Sequence, residues 1–96
     1  WHQKDHLIQN FDNTKDNFGV VDENPQLLDI NFTGLSGGKA NWMHINSMQY
    51  NALLDQIILS TRHLSELYII DHSTTTAQAA SSTGGTYQKG GNFLYR

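Results

Sequence analysis

The sequence predicts an α+β fold with one long amphipathic helix, short flanking β-strands and an extended C-terminal arm. Residues 41–70 (NWMHINSMQYNALLDQIILSTRHLSELYII) repeat apolar side chains at helical spacing. Residues 27–34 (LLDINFTG) alternate apolar and polar side chains, which is typical of a strand. Residues 73–92 are dominated by Ser, Thr and Gly. These patterns divide the chain into a small α+β domain at 1–72 and an extended arm at 73–96 that ends in a strand.

The N-terminal third is polar and is predicted to form only short elements. Pro25 is the only proline, and it disfavours helix at Asn24, so it separates two short elements. Leu28, Ile30 and Phe32 then lie on one face of a strand that is buried on one side. The following GLSGGK segment predicts a flexible loop, because glycine tolerates positive φ angles.

A set of helix-entry signals predicts that the long helix begins at about Ser47. Asn46 is the expected N-cap, and Gln49 is placed to hydrogen-bond back to it, as in a capping box. Ile45 and Tyr50 occupy the two positions of a hydrophobic staple. His44 is interpreted as a residue that precedes the helix.

The apolar stripe of this helix predicts self-association. The helix is expected to run to about residue 65, with an end at residue 70 as the alternative, although ELYIID (66–71) also suits a strand. A 19-residue helix is about 28 Å long, which would span a domain of this size, so its stripe needs further cover. We therefore predict a homo-oligomer, with a trimeric helical bundle favoured. The predicted interface residues are Tyr50, Leu53, Leu54, Ile57, Ile58, Leu64, Leu67 and Tyr68.

Composition and charge narrow the classes of function. The net charge is −3, and no stripe of Lys and Arg is present, which argues against nucleic-acid binding. No apolar run approaches the roughly 20 residues that a membrane span needs. The chain contains no cysteine, and it begins at Trp1, which predicts a processed product or a fragment. The abundance of Asn, Gln, Ser, Thr and Gly favours a virion or extracellular location.

Several motifs suggest chemistry, but each departs from the pattern that the chemistry needs. GLSGGKA lacks the spacing and the hydroxyl residue of a phosphate-binding loop. The acidic segment 12–23 (DNTKDNFGVVDE) partly matches a calcium loop, with Asn17 where glycine is required. His2 and His6 have zinc-ligand spacing without an identifiable third ligand. The adjacent Asp71, His72 and Ser73 cannot form a catalytic relay. We therefore predict no catalytic, cofactor-binding or metal-binding residue.

The segment INSMQYNALLDQI (45–57) resembles the helix opening of many tailed-bacteriophage tail-fibre, baseplate and appendage proteins. The matching residues are Ile45, Asn46, Ser47, Tyr50, Asn51, Ala52, Leu53 and Ile57. The resemblance implies a non-enzymatic virion component that forms an oligomeric joint. In that interpretation the C-terminal arm binds neighbouring structural subunits.

The leading hypothesis is therefore a structural assembly protein of a phage tail or a similar appendage. One alternative is a secreted adhesin or pilus-like module in which Trp42 and the tyrosines contact glycans. The other alternative is a small metal-dependent enzyme that uses His2, His6 or the acidic segment 12–23.

Overall fold

The protein is mostly β-structure, and its largest element is a three-stranded antiparallel sheet. The computed structural model describes all 96 residues. The elements are β1 (Leu7–Ile8), β2 (Leu28–Asp29), β3 (Ile45–Asn51), β4 (Gln56–Thr61), β5 (Glu66–Asp71) and the short helix α1 (Thr76–Ala79). Strands β3, β4 and β5 follow one another in the large sheet, whereas β1 and β2 form a separate parallel pair. Single 3-10 turns lie at Gln3–His6, Val21–Glu23 and Gly34–Ser36.

The predicted helix over 47–65, and with it the predicted α+β class, is wrong. Two four-residue turns interrupt the segment, at 52–55 and at 62–65. The Asn51 side-chain oxygen accepts hydrogen bonds from the amides of Leu53 and Leu54 at 3.1 and 3.2 Å, which closes the first turn locally. Asp55 and Ser65 end the two turns with positive φ angles of 49° and 56°. A continuous helix cannot include left-handed residues at these positions.

The three strands are stabilised by the β-branched and aromatic side chains that they place opposite one another. Ile57 lies opposite Ile70, and Leu59 lies opposite Tyr68. Along β4 and β5 the burial alternates, so that Leu59 and Tyr68 enter the core while Leu67 remains 52% exposed. This period of two replaces the helical period that the sequence suggested.

The residues predicted to cap the helix and to line its stripe are distributed over the sheet. Ile45, Asn46 and Gln49 lie on β3 and cap no helix. The predicted interface residues share no single face: Leu64 and Tyr68 are buried, Ile57 and Ile58 are half-buried, and Tyr50, Leu53, Leu54 and Leu67 are exposed. The helical bundle is therefore wrong, whereas self-association of the chain stays a prediction.

The core lies between the sheet, the N-terminal segment and the C-terminal segment. Its buried apolar residues are Leu28, Met43, Leu59, Leu64, Tyr68, Ile70 and Phe93. The rings of Tyr68 and Phe93 stack with centroids 4.2 Å apart and an interplanar angle of 3°. None of the helices has the length and apolar character needed to cross a membrane.

The Ser/Thr/Gly-rich segment 73–96 packs against the rest of the chain. Its helix α1 begins with a capping box formed by Thr75 and Gln78. Near its end, the Leu94 amide donates to the carbonyl of Ile69 at 2.8 Å, and Tyr95 pairs with Ile69 in an antiparallel bridge. The segment thus ends in a single β-bridge to β5 and not in a regular strand.

Candidate functional site

Two clusters of polar side chains lie at opposite ends of the three-stranded sheet. The first contains His44, at the entry to β3, and His63, in the turn between β4 and β5. The second contains Tyr50, near the other end of β3, Asp55, in the turn that follows β3, and His72, directly after β5. Because a seven-residue strand separates them, the clusters are about 20 Å apart.

Two backbone irregularities occur together where β3 begins. His44 has a φ angle of 46°, in the left-handed region, although it is not part of a hairpin turn. Two residues later the pairing register shifts between Ile45 and Ser47, which makes Asn46 the extra residue of a β-bulge. Strained residues and bulges concentrate at functional sites, where they aim side chains that regular strands would place elsewhere. This end of the sheet is therefore the stronger candidate.

The antiparallel pairing of β3 and β4 continues past the strand ends and brings His44 and His63 together. The Arg62 amide donates to the carbonyl of His44 at 3.0 Å, and the His63 amide donates to the carbonyl of Met43 at 3.3 Å. The two imidazole rings lie with centroids 4.7 Å apart and planes at 38°.

The glycine-rich segment that resembled a phosphate loop supports His63 from behind. The Leu35 amide donates to the carbonyl of His63 at 2.7 Å. Gly34 lies so close that a Cβ atom there would be 2.1 Å from the same carbonyl oxygen, and its φ angle is 50°. Glycine is thus required at this position both by the close approach and by the backbone conformation.

Asn41 connects the two rings. Its side-chain nitrogen lies 2.7 Å from Nδ1 of His44, and its backbone oxygen lies 2.7 Å from Nδ1 of His63. Neither Nε2 atom has a hydrogen-bonding partner, and neither is shut off from solvent. Both imidazoles therefore present a free ring nitrogen to solvent.

Arg62 directly precedes His63 in the chain, and its amide donates to the carbonyl of His44, so a positively charged residue adjoins the histidine pair. The Arg62 side chain is exposed and forms no ion pair. The chain's other arginine, Arg96, pairs with Glu66 at 2.8 Å. Residues 40–46 carry no acidic side chain. We name the set Asn41, His44, Asn46, Arg62 and His63 the histidine-pair site.

The second cluster has the opposite electrostatic character. The hydrogen bond from His72 lowers the pKa of Asp55, and the hydrogen bond from Tyr50 lowers this pKa further. The same contact with Asp55 raises the pKa of Tyr50. Asp71 carries a second carboxylate close enough for Asp55 to affect its pKa. An anionic ligand is therefore disfavoured at this end of the sheet.

The sites suggested by sequence motifs do not assemble in the structure. His6 is buried, with its ring between the carbonyl of Ala79 and the side chain of Asn92, whereas His2 is exposed. The cleft over the acidic segment, of about 440 Å³, has Lys4 and Lys15 among its lining residues as well as carboxylates. Nowhere in the chain do three or more His, Cys, Asp or Glu side chains form a group that could hold a metal ion. The alternative of a metal-dependent enzyme is therefore not supported.

Ser73 and Asp71 form a turn and not a relay. The Ser73 hydroxyl donates to Asp71 at 2.6 Å, while His72 points to Asp55.

The histidine-pair site was missed because His44 was assigned to a helix entry. A hairpin interpretation would have found it, since the register of Asn51 with Gln56, continued without a bulge, places His44 opposite His63.

A comparison with protein families identifies this chain. A family model described as Arylsulfotransferase (ASST) matches residues 1–91. No curated protein and no solved structure gives a significant match. The match overturns the predicted phage tail-fibre or baseplate resemblance, and with it the non-enzymatic structural role. The virion or extracellular location stays a prediction. The glycan-binding alternative likewise receives no support from it. The chain belongs to the arylsulfotransferase (ASST) family, which is a family of enzymes.

Proposed function

We propose that the histidine-pair site binds a sulfate ester and takes part in moving a sulfo group to or from an aryl hydroxyl. The observation that carries this proposal is the pair of imidazoles with ring centroids 4.7 Å apart, beside a backbone hydrogen bond that links Arg62, an exposed residue without an ion pair, to His44. The family to which the chain belongs is named for transfer of this group to or from aryl compounds.

The charge of the substrate matches the first cluster and not the second. An aryl sulfate is a monoanion whose non-bridging oxygens accept hydrogen bonds. A guanidinium about 4 Å from such an anion contributes about 1 kcal/mol in water and about 4 kcal/mol at the effective dielectric constant of a protein surface. Arg62 and an imidazole N–H can supply this stabilisation, whereas Asp55 and Asp71 oppose it.

The transfer requires one group that takes a proton and others that stabilise the sulfo oxygens. The bond between sulfur and the donor's aryl oxygen breaks, and a bond forms between sulfur and the acceptor oxygen. The acceptor hydroxyl gives its proton to an imidazole, and the departing aryl oxide takes this proton from the resulting imidazolium, so that no proton is gained or lost overall. General-base catalysis of this kind contributes about 10²- to 10⁴-fold, and aimed hydrogen-bond donors contribute a comparable amount.

The test combines binding and turnover of a chromogenic substrate. Binding of 4-nitrophenyl sulfate is followed by NMR titration, and release of 4-nitrophenol is followed with phenol as acceptor. Arg62→Ala is expected to weaken binding about tenfold or more, because hydrogen bonds to charged groups are worth about 1.5–3 kcal/mol. His44→Ala and His63→Ala are expected to lower turnover.

Lys89→Ala is the matched control, because it removes one exposed positive charge from the C-terminal segment, far along the chain from this site. Equal weakening by Arg62→Ala and Lys89→Ala would mean that only net charge matters. That result, or unchanged turnover in both histidine variants, would refute the proposed site.

A further inference from the structure

We propose that a cleft at the end of the sheet that carries Asp55 binds a small, uncharged aromatic compound with a hydrogen-bond donor, such as a phenol. The cleft has a volume of about 180 Å³ and lies between β5, helix α1 and the first residue of the chain. It is separate from the histidine-pair site, and the inference does not rest on the proposed function. The lining residues that carry the argument are Trp1, Ile57, Ile70, Asp71, His72 and Thr76.

The walls of the cleft suit one aromatic ring. Ile57 and Ile70 are paired directly across β4 and β5, so their side chains share the face of the sheet that carries the core. The Trp1 indole N–H donates to the carbonyl of Gly91 at 2.7 Å, and its ring stacks on His6 with centroids 5.5 Å apart. An aromatic wall that is already held in this way loses little freedom when a ligand binds. An apolar cavity of about 150 Å³ holds benzene in another protein, so the cleft has room for such a ring.

His72 supplies the polar contact, and the polarity of that contact is fixed by a carboxylate. Nδ1 of His72 lies 2.7 Å from an oxygen of Asp55, which is ionised near neutral pH because its pKa is lowered. A carboxylate accepts hydrogen bonds and cannot donate them, so the proton of the neutral ring lies on Nδ1 and Nε2 carries a lone pair. Nε2 has no hydrogen-bonding partner in the protein. A ligand in the cleft therefore meets His72 as an acceptor and needs a donor, such as a hydroxyl group.

The surroundings of the cleft disfavour a charged ligand. No Lys or Arg lines it, and the buried carboxylate of Asp71 at its edge repels an anion. Asp71 is also occupied from the side of the protein. One of its oxygens accepts from the amide and the hydroxyl of Ser73, and the other accepts from the Tyr87 amide. A cation in the cleft would therefore have to compete with these three donors, whereas an uncharged ring leaves them in place.

The test compares ligands by NMR titration, with the Trp1 indole N–H and the amides of His72 and Thr76 as reporters. The titration is done at a pH where the His72 ring is neutral and below about pH 10, where a phenol keeps its proton. Phenol is expected to shift all three signals. Anisole, which has the same ring without the donor, should bind about three- to tenfold more weakly, the range for one hydrogen bond between neutral groups. Benzoate should not shift these signals, and benzylammonium should bind no more tightly than phenol.

Two variants of helix α1 form a matched pair. Thr76→Leu enlarges a side chain that lines the cleft and should weaken phenol binding about tenfold or more, because the added atoms take the place of the ring. Ala77→Leu, at an exposed neighbouring position that does not line the cleft, should bind phenol as wild type does. His72→Ala, at an exposed position, should reduce the affinity for phenol to that for anisole and leave the affinity for anisole unchanged.

Four results would each overturn the inference. They are equal affinities of wild type for phenol and anisole, wild-type affinity for phenol in His72→Ala, equal effects of Thr76→Leu and Ala77→Leu, and tighter binding of benzoate or benzylammonium than of phenol. Phenol shifts confined to His44 and His63 would likewise place the ligand at the other end of the sheet. Failure of the proposed function shows separately, as unchanged turnover in His44→Ala and His63→Ala, and leaves these reporters unaffected.

Discussion

A methyl group added at Gly34 tests whether the Gly34–Ser36 turn holds His63 in place. Gly34 has a φ angle of 50°, and a Cβ atom would stand 2.1 Å from the carbonyl oxygen of His63. Gly37 has nearly the same backbone conformation, with a φ angle of 58°, but a Cβ atom there meets nothing within 4 Å. The two glycines therefore separate the conformational cost from the cost of the clash.

The expected magnitudes follow from these two geometries. Gly37→Ala should lower the free energy of unfolding by about 1–2 kcal/mol, the cost of a left-handed residue other than glycine. Gly34→Ala adds the cost of overpacking, about 1–3 kcal/mol, because the clashing atom is backbone and cannot rotate away. We expect Gly34→Ala to be less stable than Gly37→Ala by about 1–3 kcal/mol.

Urea denaturation of both variants measures the difference, and NMR titration with 4-nitrophenyl sulfate measures the effect on the site. Gly34→Ala should weaken this binding because it displaces His63, whereas Gly37→Ala should not. Equal losses of stability in the two variants would refute the close approach. Unchanged binding in a folded Gly34→Ala protein would refute the link between this turn and the histidine-pair site.

Three further predictions concern the opposite end of the sheet. His72→Ala should raise the pKa of Asp55 towards its usual value of 3.8, as followed by ¹³C NMR of the carboxyl group. Because the pKa of Asp55 is lowered in the folded protein, its contacts stabilise the fold above about pH 3.8, and this contribution is lost as the pH falls through the folded pKa. An unchanged pKa of Asp55 in His72→Ala would contradict this explanation. Asp71→Asn should lower the free energy of unfolding, measured by thermal denaturation, by about 1–3 kcal/mol. The reason is that the buried carboxylate of Asp71 accepts a hydrogen bond from the Tyr87 amide. Hydrogen exchange at the Tyr87 amide should become faster in this variant. Leu53→Ser should leave stability unchanged, because this side chain is 92% exposed. Sedimentation of wild type and of Leu53→Ser then tests the predicted self-association. Equal masses for the two proteins would show that Leu53 does not mediate it.

The long helix was predicted because two hairpins reproduced its spacing. Tyr50 and Ile57 are seven residues apart, as on one helical face, but a turn of the chain separates them. Asn51 and Asp55 mark that turn, and in a helical interpretation both became ordinary surface residues. Asn46 and Gln49 have capping-box spacing, but in a strand residues three apart point to opposite faces.

Other parts of the chain were closer to their sequence patterns. Leu28 is buried as the alternation around it indicated, but the strand there covers only Leu28–Asp29, and Phe32, predicted on the same buried face, is 42% exposed. The segment ELYIID forms β5, which was the alternative to a longer helix. These segments are short, so local preference for β-structure was not masked by a competing helical period.

The histidine-pair site was only partly within reach of the sequence. Once β3 and β4 are paired at Asn51 and Gln56, the register continued without a bulge places His44 opposite His63, and the bulge at Asn46 then shifts its partner to Arg62. No local pattern marks the left-handed backbone of His44, a conformation that is uncommon in residues other than glycine, and the contacts of both rings with Asn41 were not visible from the sequence either. The role of Gly34 likewise depends on a contact with His63, which lies 29 positions away along the chain and was not visible from the loop composition.

The charge distribution explains how an acidic chain can offer an anion site. The net charge of −3 comes mainly from the first 39 residues, which carry six acidic side chains against Lys4, Lys15 and Lys39. At physiological ionic strength the screening length is about 8 Å, whereas Asp55 lies about 20 Å from the histidine pair along β3. Carboxylates as distant as Asp55 are therefore screened. Glu66, the acidic residue nearest to His63 along the chain, is paired with Arg96 at 2.8 Å, whereas Arg62 forms no ion pair. A substitution that places a carboxylate at Asn46, on the bulge beside His44, should for the same reason weaken sulfate-ester binding more than any acidic substitution at the Asp55 end.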